Sequence, residues 1–483
     1  MLINLVEKVV TKGMLIGGNW VETTEKLPVL NPHTGEEVYA ISCATETHVY
    51  DALKSAAKGK VIARNLSAYD RSEIILKVAS FLKERKEEFT QTIVNEGVKT
   101  KMEAGKEVDR CINTLTLCGE EAKRLTGETV PFNAFAGASA KKGHYVYDPV
   151  GIVTAITPFN DPLNLVAHKL GPAVAAGNAI ILKPSDFTPI SGIKLGELFL
   201  EAGLPSHILN IITGPISNFG DILVTDSRVN MVSFTGGSKS GEAIAKAAGV
   251  KKIGMELGSS SPVIIMDDVD VNTVAENCVG GMIWAAGQNC VGVKRMYVHD
   301  AVYDAFKEKV VNLSKAVKLG NPEDETTDMG PIITNEAIDK IESSIADLEK
   351  GGYKVLCGGK RVNNSFEATI IEGDFDNVLN GKEEIFGPVA TISKISSLEE
   401  GITASNDSPY GLHAGIFTNN IDAAFKATNE LQCGGVMVND SSDYRIDMMP
   451  FGGVKQSGIG REGVKAAIRE MSTTKIICFN LKS

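Results

Sequence analysis

The sequence predicts an α/β fold: a doubly wound parallel sheet, a second α/β unit and a small β ribbon. Three observations predict it. Between residues 151 and 238, nearly continuous apolar runs of strand length alternate with helical stretches, as for strands buried on both faces. A comparable alternation resumes after residue 259. Between 126 and 149 the chain turns to short alternating stretches, Gly127-Glu128-Thr129-Val130-Pro131 and His144-Tyr145-Val146-Tyr147-Asp148-Pro149, the composition of a projecting ribbon.

Residues 14–41 read as short strands around two turns, Gly17-Gly18-Asn19 and Asn31-Pro32-His33-Thr34-Gly35-Glu36, and so as a surface hairpin. From Glu46 to Leu125 the pattern is helical. Arg71 to Phe89 places Ile74, Ile75, Val78, Phe81 and Leu82 on one face. A helix from Lys101 to about Leu125 carries Arg110, for which an ion pair with Glu107 or a neighbour is the plain expectation.

The parallel strands then follow in order. Gly151 to Thr157 is a buried strand, ended by Pro158-Phe159-Asn160-Asp161-Pro162. Leu163 to Ala176 is a helix closed by Gly177-Asn178. Ala179 to Leu182 is a strand ending in Lys183-Pro184-Ser185-Asp186. Helix Ile190 to Ala202, strand Ile208 to Thr213, a helix near Phe219 to Val224 and strand Met231 to Phe234 come next, and Thr235-Gly236-Gly237-Ser238 opens a further helix. In the second unit the strands are Pro262–Met266, Lys294–Val298, Ala390–Ile395, Ala414–Thr418 and Val436–Asn439. The loop Pro450–Gly458 precedes a helix, and Thr474 to Phe479 is a last strand with no hairpin partner in sequence, suited to another subunit's sheet.

In doubly wound sheets ligands bind at the carboxyl ends of the strands. Three such ends carry polar groups here: Asn160, Lys183-Ser185-Asp186 and Thr235-Gly236-Gly237-Ser238. A lysine there suits a ribose hydroxyl or phosphate. A short acid beside it suits a 2′-hydroxyl and repels a 2′-phosphate. The glycines offer backbone N–H groups to a phosphate at a helix start. No G-x-G-x-x-G run is present.

The most reactive pairing of residue types is Cys290, in Gly287-Gln288-Asn289-Cys290, with Glu256, in Glu256-Leu257-Gly258. A thiol and a carboxylate suit covalent catalysis followed by base-assisted hydrolysis. The eight cysteines are scattered without a Cys-x-x-Cys pair, and the seven histidines do not cluster beside them. Neither a metal site nor a disulfide scaffold is expected, and a reducing cytoplasm fits. A net charge of −11 argues against nucleic acid or an anionic membrane as the main partner. The start, Met1 to Lys8, does not read as a signal peptide, and no apolar run is long enough to span a bilayer.

Seven stretches, in order, carry a resemblance: Thr157-Pro158-Phe159-Asn160, Leu182-Lys183-Pro184-Ser185, Phe234-Thr235-Gly236-Gly237, Glu256-Leu257-Gly258, Gly287-Gln288-Asn289-Cys290, Glu383-Glu384-Ile385-Phe386-Gly387-Pro388 and Pro450-Phe451-Gly452-Gly453. Over essentially its full length the chain resembles the aldehyde dehydrogenase superfamily. Asn164-Leu165-Val166-Ala167-His168-Lys169 resembles the branch that acts on lactaldehyde, on glyceraldehyde 3-phosphate without phosphorylation, or on phosphonate- and sulfonate-bearing aldehydes.

The resemblance implies a dinucleotide-binding domain (1–126 and 150–258), a catalytic domain (259–455) and an oligomerisation ribbon (127–149 and 470–483) serving a homodimer or homotetramer. It implies Cys290 as nucleophile, Asn160 with the Cys290 N–H as oxyanion holder, and Glu256 as the base that hydrolyses a thioester. Cofactor contacts would come from Ile156, Thr157, Pro158, Phe159, Lys183, Ser185, Asp186, Phe234, Gly236, Gly237, Ser238, Leu257, Glu384 and Phe386. The family often has serine where Gly237 sits. Asp186, where many NAD-using members carry glutamate, implies NAD over NADP, with some NADP use open. Arg110 and Asn289 would bind substrate, with Lys294 or Arg295 assisting or else structural. His168 is expected to be packed rather than catalytic. CoA-acylating semialdehyde dehydrogenases, which typically lack the glutamate, are the alternative.

Overall fold

Strand polarity follows from the apolar runs, and the computed structural model, which describes residues 9–374 and 381–481, shows where each run lies. The N-terminal stretch read above for a signal peptide lies outside the described residues. Five strands, Ile152–Ile156, Ala179–Lys183, Leu209–Ile211, Met231–Thr235 and Lys252–Glu256, run parallel within an eight-stranded sheet. The chain adds strands to one side of Ile152–Ile156 and then returns to add Met231–Thr235 on the other. That reversal opens a crevice at the carboxyl ends. The register pairs Ile156 with both Lys183 and Phe234, and Thr235 with Glu256, so these ends share one edge. The strand Lys252–Glu256 itself was not read from the sequence.

Helices cover both faces: α1 Glu46–Asn65, α2 Ala68–Glu84, α3 Lys86–Glu96, α4 Lys101–Ala122, α5 Asn164–Ala176, α6 Pro189–Glu201, α7 Gly220–Thr225 and α8 Ser238–Ala248. The stretch Arg71–Phe89 is two helices rather than one, because the backbone leaves the helical region at Arg85. Ile75, Val78 and Leu82 of α2 are wholly buried, each stabilising the fold by roughly 1.5–3 kcal/mol. Gly177 ends α5 at φ 86°, and Asn178 N–H reaches back to the Ala173 carbonyl at 2.9 Å, the glycine-closed helix end expected of a left-handed cap. The Asn178 amide then ties Gly151 N–H to the Met471 carbonyl.

The second unit is built on a seven-stranded sheet. Pro262–Ile265, Arg295–His299, Val389–Ile395, His413–Phe417 and Gly435–Val438 run parallel within it. Helix α9, Val271–Ile283, leads into a 3₁₀ turn, Trp284–Gly287, before Cys290. Glu256 ends a strand of the first sheet and Pro262 begins one of the second, so the link is short. The chain returns at Gly458–Ile459, which pairs with Lys252–Glu256, and the helix Val464–Glu470 packs on α4 and α5.

Two expectations are corrected. Residues 14–41 are not merely a surface hairpin: Met14–Ile16 extends the eight-stranded sheet beside Leu209–Ile211, and Met14 and Leu15 are wholly buried. The last strand, Ser472–Asn480, has a partner in its own chain, pairing antiparallel with Lys141–Pro149 along nine residues. One edge of it stays open in a three-stranded ribbon.

Candidate active site

One helix face organises the site. Glu103, Glu107, Arg110 and Thr114 fall at spacings of four, three and four along α4 and so form one stripe. Glu103 accepts from Ala285 N–H at 2.9 Å, in the turn before Cys290. Glu107 accepts from the N–H groups of Leu163 and Asn164 at 2.8 and 3.0 Å, holding the start of α5 just after Asn160. Thr114 donates to the Asn164 side chain at 2.9 Å.

Arg110 does not pair with Glu107, whose other oxygen belongs to Lys99 at 2.7 Å. Its guanidinium instead spans Asp161 at 3.3 Å and Asp447 at 3.1 Å. Lys99 also contacts Asp161. Asp447 further accepts from Asn164 and lies 3.1 Å from His168 Nε2. Burial opposes ionisation of Asp447, but His168 and Arg110 hold its carboxyl below the usual range. His168 is wholly buried, and burial lowers its pKa, with Arg445 acting in the same direction.

Cys290 is half-buried where two cavities meet. The first, about 470 Å³, is lined among others by Arg110, Asn160, Asp161, Asn289, Asp443 and Arg445. The second, about 420 Å³, is lined by Thr157, Pro158, Phe159, Asn160, Ser185, Phe234, Gly236, Gly237, Glu256, Leu257, Glu384 and Phe386 among others. The structure thus gathers Cys290, Asn160 and Glu256 around one space, with most of the residues expected at a cofactor.

Four of those residues do not line it. Ile156 lies in its strand, buried. Lys183 turns its ammonium to the Pro184 carbonyl and to Asp186 at 2.8 and 2.7 Å. Asp186 thereby meets its own lysine, and burial raises its pKa against that pairing. Ser238 directs its hydroxyl to the Gln456 carbonyl at 3.4 Å. Lys294 and Arg295 are also away from both cavities. Lys294 donates to the carbonyls of Gly287 and Gly387 at 2.6 and 2.8 Å, and Arg295 to those of Ser260, Ala404 and Ser405. Their reading as structural residues holds.

Glycine has a specific purpose at Gly236, where a Cβ would lie 2.6 Å from the Phe234 ring. Gly237 caps the eleven-residue α8 without a side-chain bond to its amides. A Cβ there meets nothing within 4 Å, so the serine common in the family would fit.

The electrostatics are those of a closed site. Burial pushes the Cys290 thiol up to about 12, and Arg445 is the largest opposing influence. Burial also raises Glu256, with Glu462 adding to it, and Glu256 Oε2 has no hydrogen-bond partner among the described residues. Burial works against ionisation of Glu462 too, yet Lys169 and Arg445 hold it near 2, with Lys169 at 3.0 Å. Glu384, which accepts from Ser259 N–H at 3.0 Å, is raised to about 7 by burial.

Arg445 was missed in the sequence. Only 8% of its side chain is exposed. It stacks 3.7 Å from the centre of the Phe451 ring and lines both cavities. Asp161, Asp447, Glu462, Lys169 and Glu103 were also not assigned. For Asp161 and Lys169 the available signal was their position within or beside the motif stretches; for Glu103 there was none. Among the described residues no group of three or more His, Cys, Asp or Glu side chains is placed to hold a metal, and no helix is long and apolar enough to cross a membrane.

The comparisons with known proteins give the family. The Aldehyde dehydrogenase family profile matches residues 20–477. Aspartate-semialdehyde dehydrogenase 1 of Pseudomonas canavaninivorans is 43% identical over 455 residues, covering 94% of this chain and 97% of that one. The 3-sulfolactaldehyde dehydrogenase of Priestia aryabhattai is 42% identical over 469 residues, covering 97% and 98%. The crystal structure of glyceraldehyde-3-phosphate dehydrogenase GapN from Methanocaldococcus jannaschii, complexed with NADP, superposes with a TM-score of 0.91 at 40% identity, covering 95% and 100%. Fold and matches together define an α/β oxidoreductase. The chain belongs to the aldehyde dehydrogenase family.

Proposed function

We propose that this enzyme oxidises a small aldehyde bearing an anionic or hydroxyl group to its carboxylate, with NAD as hydride acceptor, through a thioester on Cys290. The observation that carries the reading is the place of Cys290, between a cavity holding Glu256 and the expected cofactor residues and one holding Arg110 and Asn289. The first unit is then the dinucleotide-binding domain, and 259–455 the catalytic domain. The segment 456–469, left between the expected boundaries, belongs with the first unit because the strand Gly458–Ile459 and the helix Val464–Glu470 pack there.

The second cavity fits a dinucleotide. Gly237 opens α8 with no side chain over its first amides, which suits phosphate, while the Gly236 N–H is given to the Glu256 carbonyl at 3.0 Å. Phe159 and Phe386 stand edge to face with centroids 5.9 Å apart, walls for a flat ring, with Glu384 beside them for a ribose. NAD, when bound, supplies the hydride acceptor. Asp186 supports NAD over NADP, because its charge opposes a 2′-phosphate.

The chain's own groups supply the rest. The Cys290 thiolate, opposed by burial and favoured by Arg445, attacks the aldehyde carbon. Asn160 and the Cys290 N–H hold the oxyanion, each such donor contributing about 2.7–4 kcal/mol to the barrier reduction. Once hydride has left, a thioester remains. Glu256 takes a proton from water, hydroxide adds to the acyl carbon, and the thiolate leaves as the carboxylate forms.

For the substrate, Asp161 and Asp447 aim Arg110, whose side chain is 29% exposed toward the cavity. Arg445 and Asn289 line the same cavity. Two relatives are named for aldehydes carrying a sulfonate or a carboxylate, which supports an anionic tail. Glu256 supports hydrolysis over transfer to CoA. The ribbon 127–149 with 470–483 suits assembly as a homodimer or homotetramer, which light scattering would measure. The eight cysteines, all unpaired, suit a reducing cytoplasm.

The test is NADH formation without CoA over lactaldehyde, glyceraldehyde 3-phosphate, phosphonoacetaldehyde, sulfolactaldehyde, succinic semialdehyde and an uncharged aliphatic aldehyde. Preference for anionic members, lost on Arg110→Ala, is the expected result. Equal turnover of the uncharged aldehyde returns Arg110 to a structural role. Turnover only with CoA overturns hydrolysis by Glu256.

A further inference from the structure

The residues immediately before Gln288-Asn289-Cys290 take an unusual path. Ala285 and Ala286 have φ of 51° and 54°, and Gly287 has φ of 67°. Three consecutive residues are therefore left-handed, and only the third is glycine, the residue that accepts this conformation readily. A buried carboxylate sits against the first of them. Glu103 is 2% exposed. Its Oε1 accepts from Ala285 N–H at 2.9 Å, across 182 residues of sequence. Its Oε2 accepts from Thr100 N–H at 2.9 Å and lies 3.2 Å from the Thr100 hydroxyl. Capping α4 needs only that second oxygen.

We propose that Glu103 is a positioning residue for Cys290: by accepting the Ala285 N–H it fixes the left-handed turn that places the thiol where the two cavities meet. The inference rests on Cys290 as nucleophile. Other groups fix the far end of the turn. Lys294 donates to the Gly287 carbonyl, and Gln288 donates to the carbonyls of Ala285 and Pro331 while accepting from Ile333 N–H. Glu103 alone among these holds the Ala285 amide. Without it that buried N–H has no acceptor, and the alanine relaxes toward the right-handed region that it prefers. Such a change two bonds from the turn's start swings the segment that ends in Cys290.

The experiment follows alkylation of Cys290 by iodoacetamide, read by mass spectrometry of its peptide so that Cys433 and Cys478 do not contribute. This readout needs no aldehyde, so it stands even if the proposed substrate class is wrong. Glu103→Ala is expected to slow alkylation about tenfold or more, and to lower kcat on any aldehyde that is turned over, while KM for NAD stays within about twofold. Ala285→Gly, which permits the left-handed turn without support, is expected to restore the Glu103→Ala variant to within about threefold of the unsubstituted enzyme. Thr100→Ala, which removes the helix cap but not the Ala285 bond, is expected to lower Tm and leave alkylation unchanged. If Glu103→Ala merely lowers Tm as Thr100→Ala does, or if Ala285→Gly restores nothing, the proposal falls. Should Glu103→Ala not fold, Glu103→Asp keeps the charge but is one methylene too short to reach both partners. It must show the same slowing and the same recovery, and an unchanged rate there also overturns the proposal.

Discussion

The two cavities that meet at Cys290 are made by opposite means. The one holding Glu256 is walled by strand ends, glycines and the rings of Phe159, Phe187, Phe234, Phe386 and Phe451. The one holding Arg110 is walled by charges: Asp161, Glu276, Asp440, Asp443 and Arg445 besides Arg110 itself. The first shape is set by backbone and packing, and tolerates change wherever a side chain has room. The second is set largely by polar contacts between distant segments: Arg110 pairs with Asp161 and Asp447, and Asn277 donates to Asp440. A shape made of backbone suits a ligand common to many enzymes. A shape made of paired charges can be altered one residue at a time, and suits the part of the reaction that differs among relatives.

Substitutions can break or sharpen that contrast. The largest effect belongs to the point the cavities share: Cys290→Ser should lower kcat about 10⁴-fold or more, measured as NADH formation, while NAD still binds, because the nucleophile acts as a unit with the base and the oxyanion donors. Behind the charged cavity, where Asp447 holds Arg110, Asp447→Asn should cost about 3 kcal/mol in denaturant unfolding at pH 7, since it weakens a buried pair on one side only. Its pH dependence has a definite sign. The Asp447 carboxyl is held below its ordinary pKa in the folded state, so its stabilisation is full above the unfolded value near ~3.9 and is lost as pH falls through the folded value. The gap between Asp447→Asn and the unsubstituted enzyme should therefore close in strong acid, and a constant gap would show that the pairing is not ionic. Just outside the aromatic cavity, Asp186→Ser should raise kcat/KM with NADP about tenfold relative to NAD, because it removes one negative charge and frees the Lys183 ammonium that Asp186 holds at 2.7 Å. The smallest effect is Gly237→Ser. With no atom within 4 Å of the new Cβ, kcat should stay within about twofold and stability should change by a few tenths of a kcal/mol at most, as for exchanges between good helix caps.

The same contrast explains what the sequence made legible. The parallel strands and the glycine-closed end of α5 could be read because apolar runs and Gly177 act locally. Asn160, Ser185, Gly236 and Gly237 could be placed because strand ends in a doubly wound sheet share an edge, whereas Glu384, in a loop of the second unit, was placed by the resemblance alone. Lys183 and Ser238 were placed a step too far, since a strand end fixes the backbone but not the direction of a long or rotatable side chain. The charged cavity was opaque. Arg110 and Asp447 are 337 residues apart in sequence, and nothing in the spacing Glu107-Val108-Asp109-Arg110 shows that Glu107 belongs to Lys99 and the start of α5 instead. The strain at Ala285 and Ala286, about 1–2 kcal/mol each, was invisible for the same reason: alanine ordinarily signals helix.

The short link between the sheets has one more implication. The chain passes between the two units twice, once just after Glu256 and once just before Gly458, and these two residues are paired with each other. Leu257 N–H bonds to the Ser457 carbonyl at 2.9 Å, fastening the two passages side by side. A second tie lies elsewhere on the same boundary, where Glu103 holds the Ala285 N–H and Lys101 N–H reaches the Pro322 carbonyl. Glu256 and Cys290 thus face one cavity from opposite sides of a seam that is stitched at more than one place.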